Sequence, residues 1–199
     1  KPMIISLGMA SLSEIKRAVK TARKNGCKKL ILLKCTSDYP AKHEDTNLNT
    51  IHFLEKKFKC EIGLSDHTLG IGSSVAAIAK GATVIEKHFI NNKKKNGVDS
   101  KFSISPMEME NLVKESNNAW KSVGKVKVGP SENEKKNLKF RRSIYVVKDI
   151  SKGENLSKKN IKCIRPGYGL ETVFFDKILS KKAKKNLSKG TPLNWSMIK

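Results

Sequence analysis

Aromatic side chains make up only 6% of these 199 residues, and just five of the 41 basic residues are arginine. Both shortages bear on the most obvious reading of a formal net charge of +23. Nucleic-acid readers use arginine for bidentate contacts and aromatics for base stacking. Here the basic residues are overwhelmingly lysine, scattered over nearly every predicted element and not interleaved with rings. The charge therefore reads as a solvated lysine surface that attracts phosphorylated or acidic small molecules, and no nucleic-acid partner is expected. No apolar run approaches the ~20 residues a membrane helix requires, and no secretory signal is present, so no membrane role is expected. The four cysteines, Cys27, Cys35, Cys60 and Cys163, show no C-x-x-C spacing. They read as free thiols of a reduced, cytoplasmic protein. The chain opens on Lys1 rather than Met, so the expectation is a sequence that begins inside a longer one.

What is present from residue 1 to about 123 is a repeat of apolar strand, polar turn and amphipathic helix. Strands are predicted at Met3–Ser6, Leu30–Leu33, Glu61–Leu64 and Ala82–Ile85. Ser11 with Glu14 forms a capping box before a helix whose apolar stripe is Ile15, Ala18, Val19 and Ala22. Leu48, Ile51, Leu54 and Phe58 mark a second helix, Ser74–Lys80 a third, and Ser105-Pro106 opens a fourth. Four βα units imply parallel strands joined by right-handed crossovers. A closed barrel of this kind needs eight strands. Residues 1–124 thus read as the C-terminal half of a (β/α)8 TIM barrel, with a small open α/β sheet as the structural alternative. Residues 125–138 are charged, contain Gly-Pro and read as a linker. Residues 139–199 read as a compact β domain of short strands and turns. In it Ile150-Ser151-Lys152-Gly153 with Leu156 is echoed by Leu187-Ser188-Lys189-Gly190 with Leu193.

The strand ends carry the chemistry. GLSDHTLG and VIEKHF each place a histidine, His67 and His88, just beyond an apolar strand. Strand C-termini are where barrels of this class mount metal ligands and catalytic groups. Neighbouring strands lie about 4.8 Å apart, so the two imidazoles can share one metal ion, the alternative being two unrelated, partly buried histidines. Ser6, Thr36, Ser37, Ser65, Asp66, Glu86 and Lys87 stand at the same edge, with Asp99 and Ser103 in the loop after the fourth strand. This inventory is rich in metal and anion ligands and lacks a nucleophile–base pair. It points to Lewis-acid chemistry on an oxygen-rich anionic substrate. Lys87 and Glu86 read equally as direct contacts and as salt-bridge partners supporting the site.

KPMIISLGMA, ILLKCTSDYP, GLSDHTLG, GATVIEKHF, GVDSKFSISPMEM and IRPGYGL, in this order and spacing, resemble the sialic acid (nonulosonic acid) synthase family. The resemblance covers essentially the whole chain and is nearest the pseudaminic acid branch at LLKCTSDYPA, SDHTLG and GVDSKFS. It implies a TIM barrel followed by a β-clip SAF (antifreeze-like) domain. It also implies condensation of phosphoenolpyruvate with an open-chain N-acetylated amino sugar to give a nonulosonic acid. On this resemblance His67 and His88 match the ligands of a divalent metal, Mn2+ or Mg2+. Ser6 and Ser65 match positions holding the phosphate or carboxylate of phosphoenolpyruvate, with Ser37 at a related ligand contact. Tyr39 and Asp99 match residues near the sugar and the catalytic loop. Arg165 matches an arginine that the second domain carries across a domain-swapped homodimer to the partner's sugar pocket.

Two departures stand out: Leu7 replaces the Thr of a Ser-Thr-Gly pattern, and Ile90 replaces a Thr after His-Phe. The front half of the barrel is expected to lie outside this sequence, so the chain alone is expected to be inactive. Two function classes follow. One is a phosphoenolpyruvate-dependent synthase of pseudaminic, N-acetylneuraminic or legionaminic acid. The other is a non-catalytic sugar- or polyanion-binding fragment.

Overall fold

Four strands, β1 (Met3–Ser6), β2 (Leu30–Cys35), β3 (Glu61–Asp66) and β4 (Val84–Lys87), form a parallel sheet in sequence order. They alternate with helices α1 (Leu12–Lys24), α2 (Thr50–Phe58), α3 (Gly72–Ala79) and α4 (Pro106–Val123). This is half of a β/α barrel. The computed structural model describes residues 1–91 and 97–199; the Lys/Asn-rich loop read after the fourth strand lies largely outside the described residues. The described residues divide into two compact units, 1–125 and 126–199.

The register sorts the side chains onto two faces, because successive strand residues point to opposite sides. Leu32 pairs with Ile5 and with Ile62, and Leu64 with Lys34 and with Ile85. These residues belong to the face covered by helices. There Leu30, Leu32, Ile62 and Leu64 pack against Ile15, Val19 and Ala22 of α1 and Ile51, Leu54 and Phe58 of α2. Burying each such large aliphatic side chain contributes about 1.5–3 kcal/mol. The other face carries Ser6, Leu33, Gly63 and Val84 in one row, then Cys35, Ser65 and Glu86 in the next. Continuing the alternation brings His67 and His88 to the end of that inner face.

Capping fixes where the helices start. Ser11 and Glu14 close a capping box on α1, and Ser105 with Glu108 does the same on α4, with Pro106 in its first turn. A third box, Ser131 with Glu134, starts a single helical turn, α5 (Glu132–Lys135), inside the segment read as linker. Strand ends differ more from expectation. β2 and β3 continue two residues further, to Cys35 and Asp66, because their polar residues find partners on the adjoining strands or loops and so remain in the ladder. β4 starts two residues later, at Val84. The Ala82 N–H is taken by Ala77 O at the end of α3.

In the C-terminal unit β5 (Ser143–Val146) pairs antiparallel with β6 (Ile161–Ile164), and a short helix, α6 (Phe175–Ile178), follows. The sequence echo is a structural symmetry. Ile150 and Leu187, thirty-seven positions apart, exchange both backbone hydrogen bonds, at 2.9 and 2.8 Å. The same exchange recurs on either side: Gly190 N–H to Val146 O mirrors Gly153 N–H to Ala183 O, both 2.8 Å. Asp149 Oδ1 accepts from Lys189 N–H as Asn186 Oδ1 accepts from Lys152 N–H. Leu156 and Leu193, the echoed apolar positions, are both sealed in this unit's own core with Ile144, Ile161 and Ile178.

Candidate active site at the strand ends

His67 follows directly on β3 and is buried. Its Nδ1 lies 2.9 Å from the carbonyl oxygen of Thr36, just beyond β2. A carbonyl only accepts, so Nδ1 carries a proton and Nε2 is the nitrogen left to offer a lone pair when the ring binds a cation. His88 follows directly on β4, with the Asp99 carboxylate 3.4 Å from its Nδ1. That arrangement likewise leaves Nε2 as the open nitrogen. An oxygen partner on the far nitrogen is the usual support of a metal-binding histidine.

The two rings lie with centroids 5.3 Å apart. An imidazole bound through one nitrogen at about 2.1 Å puts its centroid roughly 3 Å from the ion, so two such rings sit about 5 Å apart. The observed separation is of the size that two rings on one divalent cation would have. Among the described residues no group of three or more His, Cys, Asp or Glu is placed to hold a metal. Two protein imidazoles would leave most of the coordination sphere to substrate and water, as a catalytic rather than structural ion requires.

Tyr39 lies against His67, ring centroids 4.2 Å apart, and faces His88 edge-on at 6.0 Å. Phe102 packs on both, 4.9 Å from His88 and 5.4 Å from Tyr39. Phe102 was not among the residues read from the sequence. It comes from the segment 97–104, whose Ile104 N–H returns to His88 O at 2.8 Å. Its signal was its place two residues after Ser100 in the motif that also supplies Asp99.

The serines fare differently. Ser65 donates its hydroxyl proton to Glu86 Oε1 at 2.7 Å, so its one donor is engaged within the sheet. Ser37 is exposed and lies 3.7 Å from the Cys35 thiol, which is itself 4.0 Å from His67 Nδ1. Ser6 ends β1, level with Leu33 and exposed, two strands away from His67 and three from His88. Leu7 turns into the sheet–helix core, so packing accounts for an apolar residue there.

Lys87 is a salt-bridge partner, though not of Glu86. It pairs with Asp66 across the last registered step of β3 and β4. Burial pushes the Asp66 carboxyl upward. Hydrogen bonds from Ser74, Lys87 and the Thr68 N–H, together with the Lys87 charge, outweigh that and leave its pKa below the ordinary carboxylate value. Lys34, on the same face, is shifted down by burial.

Arg165 stands in the C-terminal unit, exposed on the Arg-Pro-Gly-Tyr-Gly corner. The buried Ser143 hydroxyl holds that corner by donating to Pro166 O at 2.7 Å and accepting from the Gly169 N–H at 2.9 Å. A Cβ on Gly169 would fall 2.4 Å from Ile144 O, which explains the second glycine.

The parallel half-barrel with paired histidines at its strand ends is where family comparison becomes informative. Residues 1–128 match the model of the NeuB family, and residues 141–199 match the SAF domain. The chain belongs to the NeuB family. It is 42% identical over 196 residues to a pseudaminic acid synthase of Campylobacter jejuni, covering 98% of this chain and 57% of that protein. To an N,N'-diacetyllegionaminic acid synthase of the same species it is 41% identical over 189 residues, covering 94% and 57%. The crystal structure of an N-acetylneuraminic acid synthetase from Leptospira borgpetersenii superposes with a TM-score of 0.63 at 38% identity, over 69% of this chain and 48% of that one. The chain thus spans little more than half the length of these curated relatives. The fold is accordingly part of a TIM barrel joined to an antifreeze-like SAF domain. Among the described residues no helix is long and apolar enough to cross a membrane.

Proposed function

We propose that this chain supplies the C-terminal part of a nonulosonic acid synthase, a transferase that condenses phosphoenolpyruvate with an open-chain N-acetylated amino sugar. The observation that carries this reading is the pair of imidazoles at adjacent strand ends, both with Nδ1 facing an oxygen and Nε2 open. In the reaction, C3 of phosphoenolpyruvate bonds to the aldehyde carbon, water adds at C2, and phosphate leaves. One water is consumed and one phosphate released for each carbon–carbon bond formed.

His67 and His88 would hold the divalent cation, Mn2+ or Mg2+. Such an ion supplies Lewis-acid polarisation of the sugar's aldehyde oxygen. The chain's own residues do the rest. Thr36 O and Asp99 fix the orientation of the two imidazoles. Tyr39, stacked on His67 and half exposed, offers a ring wall to the sugar. Ser6 and Ser37 present exposed hydroxyl groups for the anionic ends of phosphoenolpyruvate. Ser65 does so only by turning from Glu86; otherwise it orients that carboxylate toward the reaction. Arg165 of a second copy in a homodimer supplies a guanidinium to the sugar, a reading supported by its exposure on a rigid corner.

Pseudaminic acid is the proposed product, supported by the CTSDYP and GVDSKFS motifs and the 42% relative. The 41% relative supports legionaminic acid as the second reading. The test joins this chain to the remaining part of the C. jejuni pseudaminic acid synthase and follows phosphate release. Release is expected to require phosphoenolpyruvate, a diacetamido-trideoxyhexose and Mn2+ together, and to vanish in His67→Ala and His88→Ala. Release that persists in folded His67→Ala rules the site out. A preference for N-acetylmannosamine moves the product to N-acetylneuraminic acid, and a folded chimaera that binds sugar without turnover leaves a binding module.

A further inference from the structure

Asp66 and Lys87 each immediately precede a site histidine, on adjacent strands, and their side chains point away from the site toward the helices. The pair is sealed: Lys87 Nζ lies 2.9 Å from Asp66 Oδ2, with the side chains 1% and 0% exposed. The Asp66 carboxylate accepts four hydrogen bonds. Oδ1 takes the Thr68 N–H at 2.9 Å and the Thr68 hydroxyl at 2.8 Å, and Oδ2 takes Ser74 Oγ and Lys87 Nζ. Lys87 Nζ donates a second time, to Thr68 O at 2.7 Å.

A buried ion pair is weak grounds for stability. Desolvation offsets most of the attraction, and an apolar pair of similar volume often serves as well. What an apolar pair lacks is direction. Here three polar groups of Thr68 (N–H, hydroxyl and carbonyl) are tied to one carboxylate and one ammonium. The backbone is therefore gripped on both sides of His67. The ammonium that does so belongs to the residue before His88, so the same bonds fix one histidine strand against the other. Ser74 anchors the cluster to α3.

We propose that the Asp66–Lys87 pair is the positioning device of the two-histidine site, setting the spacing of His67 and His88 through the backbone while touching neither ring. This rests on the metal reading above for its purpose, and on the hydrogen-bond geometry alone for its mechanism. The residues act through others and are not catalytic.

The test uses the 199-residue chain, with Mn2+ alone as probe. Asp66→Leu/Lys87→Met removes both charges together and leaves no orphan ion; circular dichroism and a thermal melt establish folding. The first readout is the ring-to-ring nuclear Overhauser contact between His67 and His88 in metal-free protein. The second is Mn2+ affinity, from the electron paramagnetic resonance signal of the free aquo ion. The expected result is a folded variant that loses the ring contact and binds Mn2+ about 10–100-fold more weakly. A folded double variant with the wild-type ring contact and affinity overturns the proposal. If the double variant does not fold, Ser74→Ala carries the test. It keeps both charges and removes one bond, and an unchanged ring contact and affinity there overturn the proposal equally. A wild-type chain that ignores Mn2+ while its ring contact responds to these variants sinks the metal reading and upholds the positioning role.

Discussion

Adding one methyl group to Gly63 should cost stability, whereas adding the same group to Gly72 should increase it. Gly63 lies in β3 on the inner face, four residues before His67. A Cβ there would fall 2.4 Å from Val84 O, 2.6 Å from Leu33 Cδ2 and 3.0 Å from Val84 Cβ. Ordinary van der Waals contact begins near 3.4 Å, so β3 must retreat from β4 by several tenths of an ångström or more. The nearest obstacle is a backbone carbonyl of the adjoining strand and cannot swing aside as a flexible side chain would. Overpacking of this kind costs about 1–3 kcal/mol. The alanine also restricts the unfolded chain, a gain of about 0.4–1 kcal/mol, so at mid-range the clash wins and the net loss is about 1.3 kcal/mol. At Gly72, the first residue of α3, nothing lies within 4 Å of the same Cβ and the backbone is not left-handed. Only the favourable effect remains there, about +0.4–1 kcal/mol. Urea unfolding followed by circular dichroism measures both. Mn2+ affinity should fall in Gly63→Ala, because the retreat of β3 carries His67 with it. Equal or greater stability in Gly63→Ala would refute the packing argument.

The depressed Asp66 carboxyl makes a pH prediction. A group whose folded pKa lies below its unfolded value, here 3.8, stabilises the fold fully above that value. The contribution is lost as pH falls through the folded pKa. Acid unfolding of Asp66→Leu/Lys87→Met should therefore show a shallower loss of stability below about pH 4 than wild type; an identical slope would mean the pair is not linked to folding. Arg165→Ala in the completed enzyme should raise the KM for sugar and leave that for phosphoenolpyruvate nearly unchanged. Mixed with His67→Ala, it should recover part of the activity through hybrid dimers, and no recovery under subunit exchange would rule out the cross-subunit role.

The fold was legible wherever one force decided an element. Apolar runs between capping signals placed all four strands of the sheet and the helices between them, and the Ser11 box and the Ser105-Pro106 start located two helix starts to the residue. Strand ends were less legible, because polar residues such as Ser65 and Asp66 read as loop until their partners across the ladder are known. Ser131-x-x-Glu134 is as good a capping box as the others. No apolar stripe follows it to announce a helix, and one turn of helix has none to show. The thirty-seven-residue echo was visible as a string. Only the exchanged hydrogen bonds reveal that the two copies pair with each other, since sequence similarity carries no information on which segments meet. Within the site, His67, His88, Tyr39 and Asp99 are brought together, whereas Thr36 contributes a carbonyl, which any residue possesses and no motif can announce.

The alternation of strand residues explains why chemistry and support separate so cleanly at this edge. In a half-barrel the odd positions Gly63, Ser65 and His67 face inward, so only they can reach a ligand held over the strand ends. Asp66 faces the helices and would there be an unpaired buried charge, costly enough to unfold the strand end. Lys87 removes that cost only because the register sets it directly opposite. Had β4 slipped by one residue, His88 would face the helices and Lys87 the ligand, and neither the ion pair nor the paired imidazoles would exist. The register that sets Asp66 opposite Lys87 is therefore the one that also brings His67 beside His88. A sequence carrying Asp-His on one strand and Lys-His on the next thus encodes, in its ion pair, the alignment of its two histidines.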